Sequence, residues 1–237
     1  VEAKKLAFAD LSGHVSDRDH LRGDPGALLA DDYIGERRAL LNPDVAAPSQ
    51  DAGHPFDHGE TIYLTVADRE GNMISFINSV FEYFGSGVVA PGTGFVLQNR
   101  GAGFTLDEGH PNRIAPNKRP FHTLIPGFVT RNGAPFLSFG VMGGSMQPQG
   151  HVQLLLNLLV FGMDLQEAVD APRFRSMGGT SVRLEDPIPD EVSEALAAMG
   201  HRISYGGSFG GAQAILRLAR GWAAGSDPRK DGMAAGH

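Results

Sequence analysis

The stretch TIYLTVADREGNMISFINSVF, residues 61–81, predicts two strands joined by a tight turn. Apolar and polar side chains alternate on both sides of REGN at 69–72, which is the pattern of a β-hairpin. Because paired strands lie about 5 Å apart, folding the hairpin about its turn brings Ser79 within about one residue of the position opposite Thr61. The hairpin therefore places a second hydroxyl near Thr61, the first residue of the first strand.

The segments around this hairpin predict helices packed on antiparallel strands. Residues 42–60 are polar, proline-bearing and aperiodic, which is typical of an exposed linker. The helix predicted at 150–164 is apolar almost all round and is expected to be buried. Hairpins beside buried helices indicate the layered α+β class. The full prediction has helices at 1–11, 24–41, 150–164, 165–172 and 190–200 and further strands at 122–130, 135–143, 181–186, 212–219 and 222–227.

Composition limits the classes of function. The 237 residues are 41% hydrophobic, enough for one large domain or two small ones. A net charge of -7 with scattered Lys and Arg favours neither nucleic acid nor an anionic membrane surface as a partner. The apolar run at 152–163 is too short to span a membrane, no signal-peptide pattern opens the chain, and cysteine is absent. We expect a soluble protein, cytoplasmic or periplasmic, without disulfides or thiolate chemistry.

Common metal, nucleotide and serine-nucleophile motifs are missing from the sequence. His54 and His58 lie in the proline-rich linker and form no HxxxH pair on a helix, so no metal site is expected. The glycine-rich segments at 140–145 and 206–211 do not continue as nucleotide-binding motifs. Ser145, in GGSMQ, lacks the second glycine of a nucleophile elbow. We interpret the glycine runs as tight turns and expect no cofactor.

Thr61 is the remaining candidate nucleophile. A threonine hydroxyl needs a base within hydrogen-bonding reach, and its own α-amine can serve. That amine exists only if the peptide bond between Glu60 and Thr61 is cut, because an amide nitrogen has no basic lone pair. The exposed linker can move aside after such a cut, while the strand holds the new terminus. The alternative is an ordinary threonine at the start of a strand.

Six motifs, in order along the chain, resemble the γ-glutamyltranspeptidases, N-terminal nucleophile hydrolases whose precursor cuts itself before a threonine. The motifs are TIYLTVADREGN, FGSGVVAPGTGFVLQNRG, APNKRPFHTLIPG, GVMGGS, EAVDAPRF and AAGSDPRKDG. The resemblance implies the four-layer αββα sandwich of that class, to which this chain contributes part. It also implies that residues 1–60 are the C-terminal part of a large subunit with its linker and that residues 61–237 are the small catalytic subunit. The large N-terminal portion of that large subunit would then be a partner of this chain. Assembly into a homo-oligomer stays open.

By position in these motifs, the resemblance implies roles for five residues. Thr61 matches the nucleophile, and Glu60 carries the carbonyl that Thr61 attacks during processing. Ser79 matches a second hydroxyl that supports the amine of the nucleophile. Gly143 and Gly144 match the glycines whose N–H groups bind the oxyanion, where missing side chains let the backbone approach the substrate. This chemistry needs no metal or organic cofactor.

The implied substrate-binding residues depart from the family. Asn99 falls on a family position close to the substrate, but Gly103 stands where members that bind a γ-glutamyl group have an acidic residue for the α-ammonium. Arg100 replaces a neutral or acidic residue, and His122 with Thr123 replaces a serine pair that meets the α-carboxylate. The pocket is therefore expected to be more basic. Arg100 and His122 are candidates to hold a carboxylate, with a purely structural role as the alternative for each.

Three functions stay open from the sequence. The first is a γ-glutamyltransferase-like amidohydrolase that cleaves small γ-glutamyl or related acyl amides and passes the acyl group to water or an amine. The second is a glutaryl or cephalosporin acylase on the same scaffold, favoured by the lost ammonium-binding residue and by Phe81, which replaces an asparagine beside the nucleophile. The third is a catalytically silent member that acts as a binding or scaffold domain and stays uncut.

Overall fold

The computed structural model describes residues 1–21, 23–48 and 60–236, with the backbone alone at Glu60. The residues cluster into two units, the first from the described parts of 1–55, 99–122 and 174–206 and the second from those of 56–98, 123–173 and 207–237. The segments of the two units alternate along the chain. The predicted boundary between 1–60 and 61–237 is of another kind, a cleavage site in the peptide, and it stays a prediction. The helices are α1 (Glu2–His14), α2 (Asp31–Ala39), α3 (Met146–Leu159), α4 (Leu165–Asp170) and α5 (Asp190–Ala198), and the strands are β1 (Glu60–Ala67), β2 (Met73–Phe81), β3 (Gly127–Arg131), β4 (Ala134–Met142), β5 (Phe174–Gly178), β6 (Ser181–Leu184), β7 (Arg202–Tyr205), β8 (Gly211–Arg217) and β9 (Trp222–Ser226).

The second unit consists of two sheets and a layer of helices. β1 and β2 form an antiparallel ribbon, and four strands form an antiparallel sheet in the order β3-β4-β8-β9. One face of the four-stranded sheet meets the ribbon, where Tyr63 lies against Gly140. The other face meets α3 and α4, with Gly150 of α3 against Val141. β4 is covered on both faces, and this explains why residues 137–142 are buried without alternation.

The hydrophobic core of the second unit lies between the four-stranded sheet and the helices. It contains Leu137, Phe139, Val141, Leu154, Leu165, Ala168, Val169, Ala212 and Ala214. α4 begins with a capping box in which the Asp164 carboxylate accepts the Glu167 N–H and the Glu167 carboxylate accepts the Asp164 N–H. α4 ends at Asp170, which confirms the helix end predicted from Pro172.

α3 differs from its prediction in where it starts and in how much it buries. It begins at Met146, so the glycine turn at 143–144 leads almost directly into it. Its inner side packs on β4, whereas Val152, Leu156 and Leu159 are 56%, 41% and 44% exposed. The expectation of burial on all sides is therefore wrong for this chain, because one sheet covers only one side of a helix. No helix in the described ranges is long and apolar enough to cross a bilayer.

The first unit contains α1, α2, α5 and the sheet β5-β6-β7, in which β6 pairs in parallel with β7. Of these three strands, the sequence predicts only β6. β7 has four residues that are mostly exposed, and β5 shows no alternation of buried and exposed residues. The helix predicted at 24–41 is split. Asp24 caps a 3₁₀ turn at Pro25–Leu29, and α2 starts afresh at Asp31 because Ala30 has an extended backbone.

Candidate active site

Thr61 and Ser79 lie directly opposite each other in the ribbon. The register pairs them, as the hairpin pattern predicts, and Thr61 Oγ1 donates to Ser79 Oγ at 3.2 Å. Ser79 Oγ in turn accepts the N–H of Phe81 at 2.9 Å. The register shifts between Glu60 and Thr61, because Glu60 pairs with Phe81 and Val80 is left as a bulge. The peptide bond predicted to be cut therefore lies at an irregular strand end beside a fixed second hydroxyl.

The chain leaves β2 through strained backbone. The backbone φ angle is 79° at Phe81 and 22° at Tyr83. Both angles lie in the left-handed range, which residues other than glycine rarely adopt. Residues of this kind cost roughly 1–3 kcal/mol each and cluster at functional sites. The loop that follows is closed by the Ser86 N–H, which donates to the Leu97 carbonyl at 2.8 Å. The strain thus begins two residues after Ser79.

Gly143 and Gly144 form a tight turn between β4 and α3, with φ angles of 116° and 57°. A Cβ on Gly143 would lie 3.1 Å from Gly210 Cα, so both the backbone angle and this close approach favour glycine. The Gly143 carbonyl accepts the Met146 N–H at 2.9 Å, and the Gly144 carbonyl accepts the Gln147 N–H at 3.1 Å. The two glycines therefore precede the N-terminus of a 14-residue helix, a place that favours negative charge.

A buried ion pair supports this turn from behind. Arg173 and Asp227 are 2% and 1% exposed, and Arg173 Nη2 lies 2.8 Å from Asp227 Oδ2. Arg173 Nη1 donates to the carbonyl of Phe209, the residue before Gly210, at 3.0 Å. Asp227 Oδ2 also accepts the Ala212 N–H at 2.7 Å. The pair thereby holds the segment that packs on the glycine turn, a role that sequence reasoning missed although both residues lie in recognised motifs.

Two polar residues near the start of α3 were also missed. His151 Nε2 accepts the N–H of Val141 at 3.2 Å, and its ring lies 4.7 Å from the Phe139 ring between centroids. Burial lowers the pKa of His151 from 6.5 to about 4, so the imidazole is neutral at physiological pH. Gln147 is fully buried, and its Oε1 accepts the Ile125 N–H at 3.1 Å. Polar residues at the start of an apolar helix, in MQPQGH at 146–151, were the available signal.

Asn99, Arg100 and His122 belong to the first unit. Asn99 precedes the 3₁₀ turn Arg100–Gly103, in which Arg100 is 6% exposed and burial lowers the pKa of its guanidinium. His122 is exposed, yet partial loss of hydration and then the charge of Arg100 lower its pKa. The structure therefore brings Arg100 and His122 within electrostatic reach of each other.

Asn112, which sequence reasoning missed, connects the two segments that carry these residues. It is 6% exposed, its Nδ2 donates to the Gly103 carbonyl at 2.7 Å, and its Oδ1 accepts the Phe121 N–H at 3.0 Å. Its surroundings in the sequence are ordinary loop composition, so no pattern pointed to it. Thr123 falls in the second unit, and its hydroxyl is buried without a hydrogen-bond partner among the described residues.

Metal-binding clusters are not found in the part of the chain that the structure describes, where no three His, Asp or Glu side chains are grouped to hold an ion. His54 and His58 lie outside the described residues. The expectation of no cofactor therefore stays a prediction.

Known proteins are similar to this chain over its whole length. The family model described as Gamma-glutamyltranspeptidase matches residues 1–237. The chain is 40% identical over 246 residues to the glutathione hydrolase-like YwrD proenzyme of Bacillus subtilis and 37% identical over 247 residues to the oxamate amidohydrolase proenzyme of Klebsiella pneumoniae. Each match covers 100% of this chain and 46% of the relative.

A solved structure, the cephalosporin acylase from Bacillus halodurans, matches with a TM-score of 0.91 and 43% identity, over 100% of this chain and 44% of the acylase chain. The fold is that of the N-terminal nucleophile hydrolases, which confirms the predicted αββα class; the second unit supplies two sheets and one helical layer. The chain belongs to the γ-glutamyltranspeptidase family. It spans less than half the length of the relatives that it matches.

Proposed function

We propose that this protein is an N-terminal threonine amidohydrolase whose precursor cuts itself between Glu60 and Thr61. The observation that carries the proposal is the bond from Thr61 Oγ1 to Ser79 Oγ at 3.2 Å, at a strand end interrupted by a bulge. Two similar proteins are named proenzymes, which supports a precursor. The rest of the precursor would be the large subunit and the partner of this region.

Processing begins when the Thr61 hydroxyl attacks the Glu60 carbonyl carbon and releases its proton to a base. The tetrahedral intermediate then loses its C–N bond as the Thr61 nitrogen gains a proton, which leaves the Glu60 acyl group as an ester on the Thr61 oxygen. Water hydrolyses this ester to a carboxylate and frees both the hydroxyl and the amine of Thr61. In this mechanism Ser79 orients the hydroxyl before the cut and the amine after it, and the bond between the two hydroxyls supports the first of these roles.

In turnover, the α-amine of Thr61 accepts the hydroxyl proton, directly or through water, as the oxygen attacks a substrate amide. The N–H groups of Gly143 and Gly144 stabilise the oxyanion, and one such donor contributes about 3 kcal/mol to the transition state. The leaving amine takes the proton as the C–N bond breaks. The acyl-enzyme then passes its acyl group to water or to an acceptor amine.

The acyl group is proposed to carry a carboxylate and no free amine. Gly103 offers no charge to an ammonium group, while Arg100 and His122 lie in electrostatic reach of each other on segments joined by Asn112. Two similar proteins are named for oxamate and for cephalosporins, which supports acyl groups of other kinds than γ-glutamyl. A γ-glutamyl amide is the second candidate, supported by the relative named as glutathione hydrolase-like.

The intact mass of the full-length protein, followed over time, tests the cut. We expect two fragments, the smaller starting Thr-Ile-Tyr by N-terminal sequencing, and no fragments from Thr61→Ala. Thr93→Ala, in the exposed loop after β2, is the control and should cut normally. A single uncut species in active wild-type protein would overturn the mechanism, and an uncut, inactive wild type would favour the silent scaffold.

The ratio of kcat/KM for glutaryl anilide to that for γ-glutamyl anilide tests the substrate. The wild type is expected to prefer the glutaryl compound. Gly103→Asp should lower the ratio about tenfold or more, because a close charge pair contributes at least about 1.5 kcal/mol. A Cβ at 103 has room, since its nearest neighbour is the Phe121 carbonyl oxygen at 3.8 Å. A wild type that cleaves only the γ-glutamyl compound would contradict the proposed substrate while leaving the enzyme class intact.

A further inference from the structure

Tyr63 occupies a notch in the neighbouring sheet that only glycine leaves open. Tyr63 lies on the inner face of β1, two residues after Thr61, and is 5% exposed. Its ring covers Gly140 on β4: a Cβ there would overlap the ring atoms Cδ2 and Cε2 and would lie 2.7 Å from Cγ. The φ of Gly140 is outside the left-handed range, so the ring of Tyr63 is what excludes a side chain at this position.

A buried set of hydroxyls fixes the ring in the notch. Tyr63 Oη lies 2.7 Å from Ser75 Oγ and 3.2 Å from Ser138 Oγ. Thr65 Oγ1 donates to Ser138 Oγ at 2.7 Å, and Ser138 Oγ donates to the Ile74 carbonyl at 3.0 Å. One scheme satisfies all of these groups, with Ser75 donating to Tyr63 and Tyr63 donating to Ser138. The network ties both strands of the ribbon to β4.

We propose that Tyr63 is a positioning residue that sets the separation between the Thr61 hydroxyl and the Gly143–Gly144 turn; this inference rests on the proposed function. Thr61 is two residues from Tyr63, about 7 Å along β1, and Gly143 is three residues from Gly140, about 10 Å along β4. Thr61 and Gly143 are each joined to the contact between Tyr63 and Gly140 by a short length of strand. A shift of the Tyr63 ring in its notch therefore changes the distance between them. A displacement of about 1 Å at the reacting groups lowers the rate about 100-fold.

Gly140→Ala tests the notch, because the added methyl displaces the Tyr63 ring. We expect kcat to fall about 10- to 100-fold with KM within about twofold. Gly127→Ala is the matched control: its Cβ would lie 2.5 Å from two atoms of the Phe139 ring, on the same sheet but on the face that packs on the helices. The control should lose thermal stability to a similar extent while kcat stays within about threefold. Equal losses of kcat in the two variants would overturn the inference.

A second substitution in Gly140→Ala tests rescue and serves if the single variant does not fold. Adding Tyr63→Ala removes the three ring atoms Cγ, Cδ2 and Cε2 that the new methyl meets, and we expect at least about fivefold recovery of kcat over Gly140→Ala, or recovery of folding with measurable turnover. Absence of both would count against the notch. Tyr63→Phe keeps the ring but loses the hydroxyl, and should lower kcat less than Gly140→Ala does; the reverse order would assign the effect to the hydroxyls.

Amide NMR separates failure of this inference from failure of the proposed function. If the wild type is neither cut nor active, the proposed function fails, but the amide signals of Thr61, Gly143 and Gly144 still report on positioning. They should shift in Gly140→Ala and stay close to wild type in Gly127→Ala. Unchanged Gly143 and Gly144 signals in Gly140→Ala would overturn the inference whatever the activity, since Thr61 has an amide signal only in the uncut chain.

Discussion

The β1–β2 ribbon has its polar face covered and its apolar face exposed, which is the reverse of most half-buried sheets. The inner face, which meets the four-stranded sheet, carries hydroxyl groups, namely those of Thr61, Tyr63, Thr65, Ser75 and Ser79. The outer face is apolar, and its side chains are between 47% and 71% exposed; they are Ile62, Leu64, Val66, Ile74 and Phe76. A large exposed apolar patch of this kind is typical of a surface that another segment covers.

The difference predicts that stability, chemistry and association depend on separate surfaces of the second unit. The hydroxyls of the inner face are tolerated in the interior because they bond to one another and to backbone carbonyls. Stability comes from the opposite face of the four-stranded sheet, where the apolar core packs on α3 and α4. We propose that the outer face of the ribbon is the surface that the rest of the precursor covers. Changes on the three surfaces should therefore have separable effects.

Asp227→Asn would weaken the helix side of the sheet most. Burial alone would raise the pKa of Asp227, but the charge of Arg173 and the N–H groups of Ala212 and Arg229 hold it below its ordinary value. Removing one charge of a buried pair costs about 3–5 kcal/mol, and urea unfolding should show this loss. Asp231→Asn, at an exposed site nearby, should change the free energy of unfolding by less than about 0.5 kcal/mol. A loss below about 1 kcal/mol at Asp227 would contradict the assignment.

We expect a second loss of folding stability on the helix side of the sheet, caused by protonation of His151 at low pH. The folded chain holds the imidazole neutral with a pKa of about 4, whereas the unfolded chain takes up the proton near pH 6.5. The stability that the neutral imidazole provides is therefore fully present above about pH 6.5. As the pH falls from there towards 4, the free energy of unfolding decreases by about 3 kcal/mol in total. Urea unfolding of wild type and His151→Gln, which keeps an acceptor for Val141 but does not titrate, should converge as the pH falls through this range. Parallel pH profiles would show that His151 does not titrate in this way.

Sequence patterns predicted the ribbon and the glycine turn because both depend on local geometry. Alternation and turn composition set the register that pairs Thr61 with Ser79, and runs of glycine marked the turn before α3. Alternation also showed that the ribbon has two unlike faces. It could not show which face the chain itself covers, since a period of two is the same for both faces.

The missed residues of the site act through tertiary contacts. Arg173 reaches Asp227 and Phe209, and Asn112 joins Gly103 to Phe121, across separations that no local pattern encodes. Their side chains are polar and buried, and composition alone cannot separate such residues from exposed polar ones. The roles assigned to Thr61, Ser79 and the two glycines by resemblance stay predictions.

Ser79→Ala tests the chemistry of the inner face against its neighbour on the outer face. Without the Ser79 hydroxyl, the Thr61 hydroxyl loses the hydrogen bond that it donates, and kcat should fall about 10- to 100-fold, equivalent to about 1.4–2.7 kcal/mol. Asn78→Ala changes the adjacent exposed residue and should keep kcat within about twofold. Thermal melting should place both variants close to wild type. Equal kcat values for the two variants would remove the functional distinction between the faces.

Phe76→Lys tests the outer face and should have the smallest effect. Phe76 is 50% exposed, and covering the remaining half of its surface is expected to contribute about 1–2 kcal/mol to the association of the two subunits after the cut. The urea midpoint for subunit dissociation should therefore fall, while kcat of the associated enzyme stays near wild type. Leu218→Lys, 46% exposed in the β8–β9 turn, is the matched control and should leave the midpoint unchanged. If both variants dissociate alike, the outer face of the ribbon is not the covered surface; if only Phe76→Lys does, apolar exposure on this ribbon marks the subunit interface.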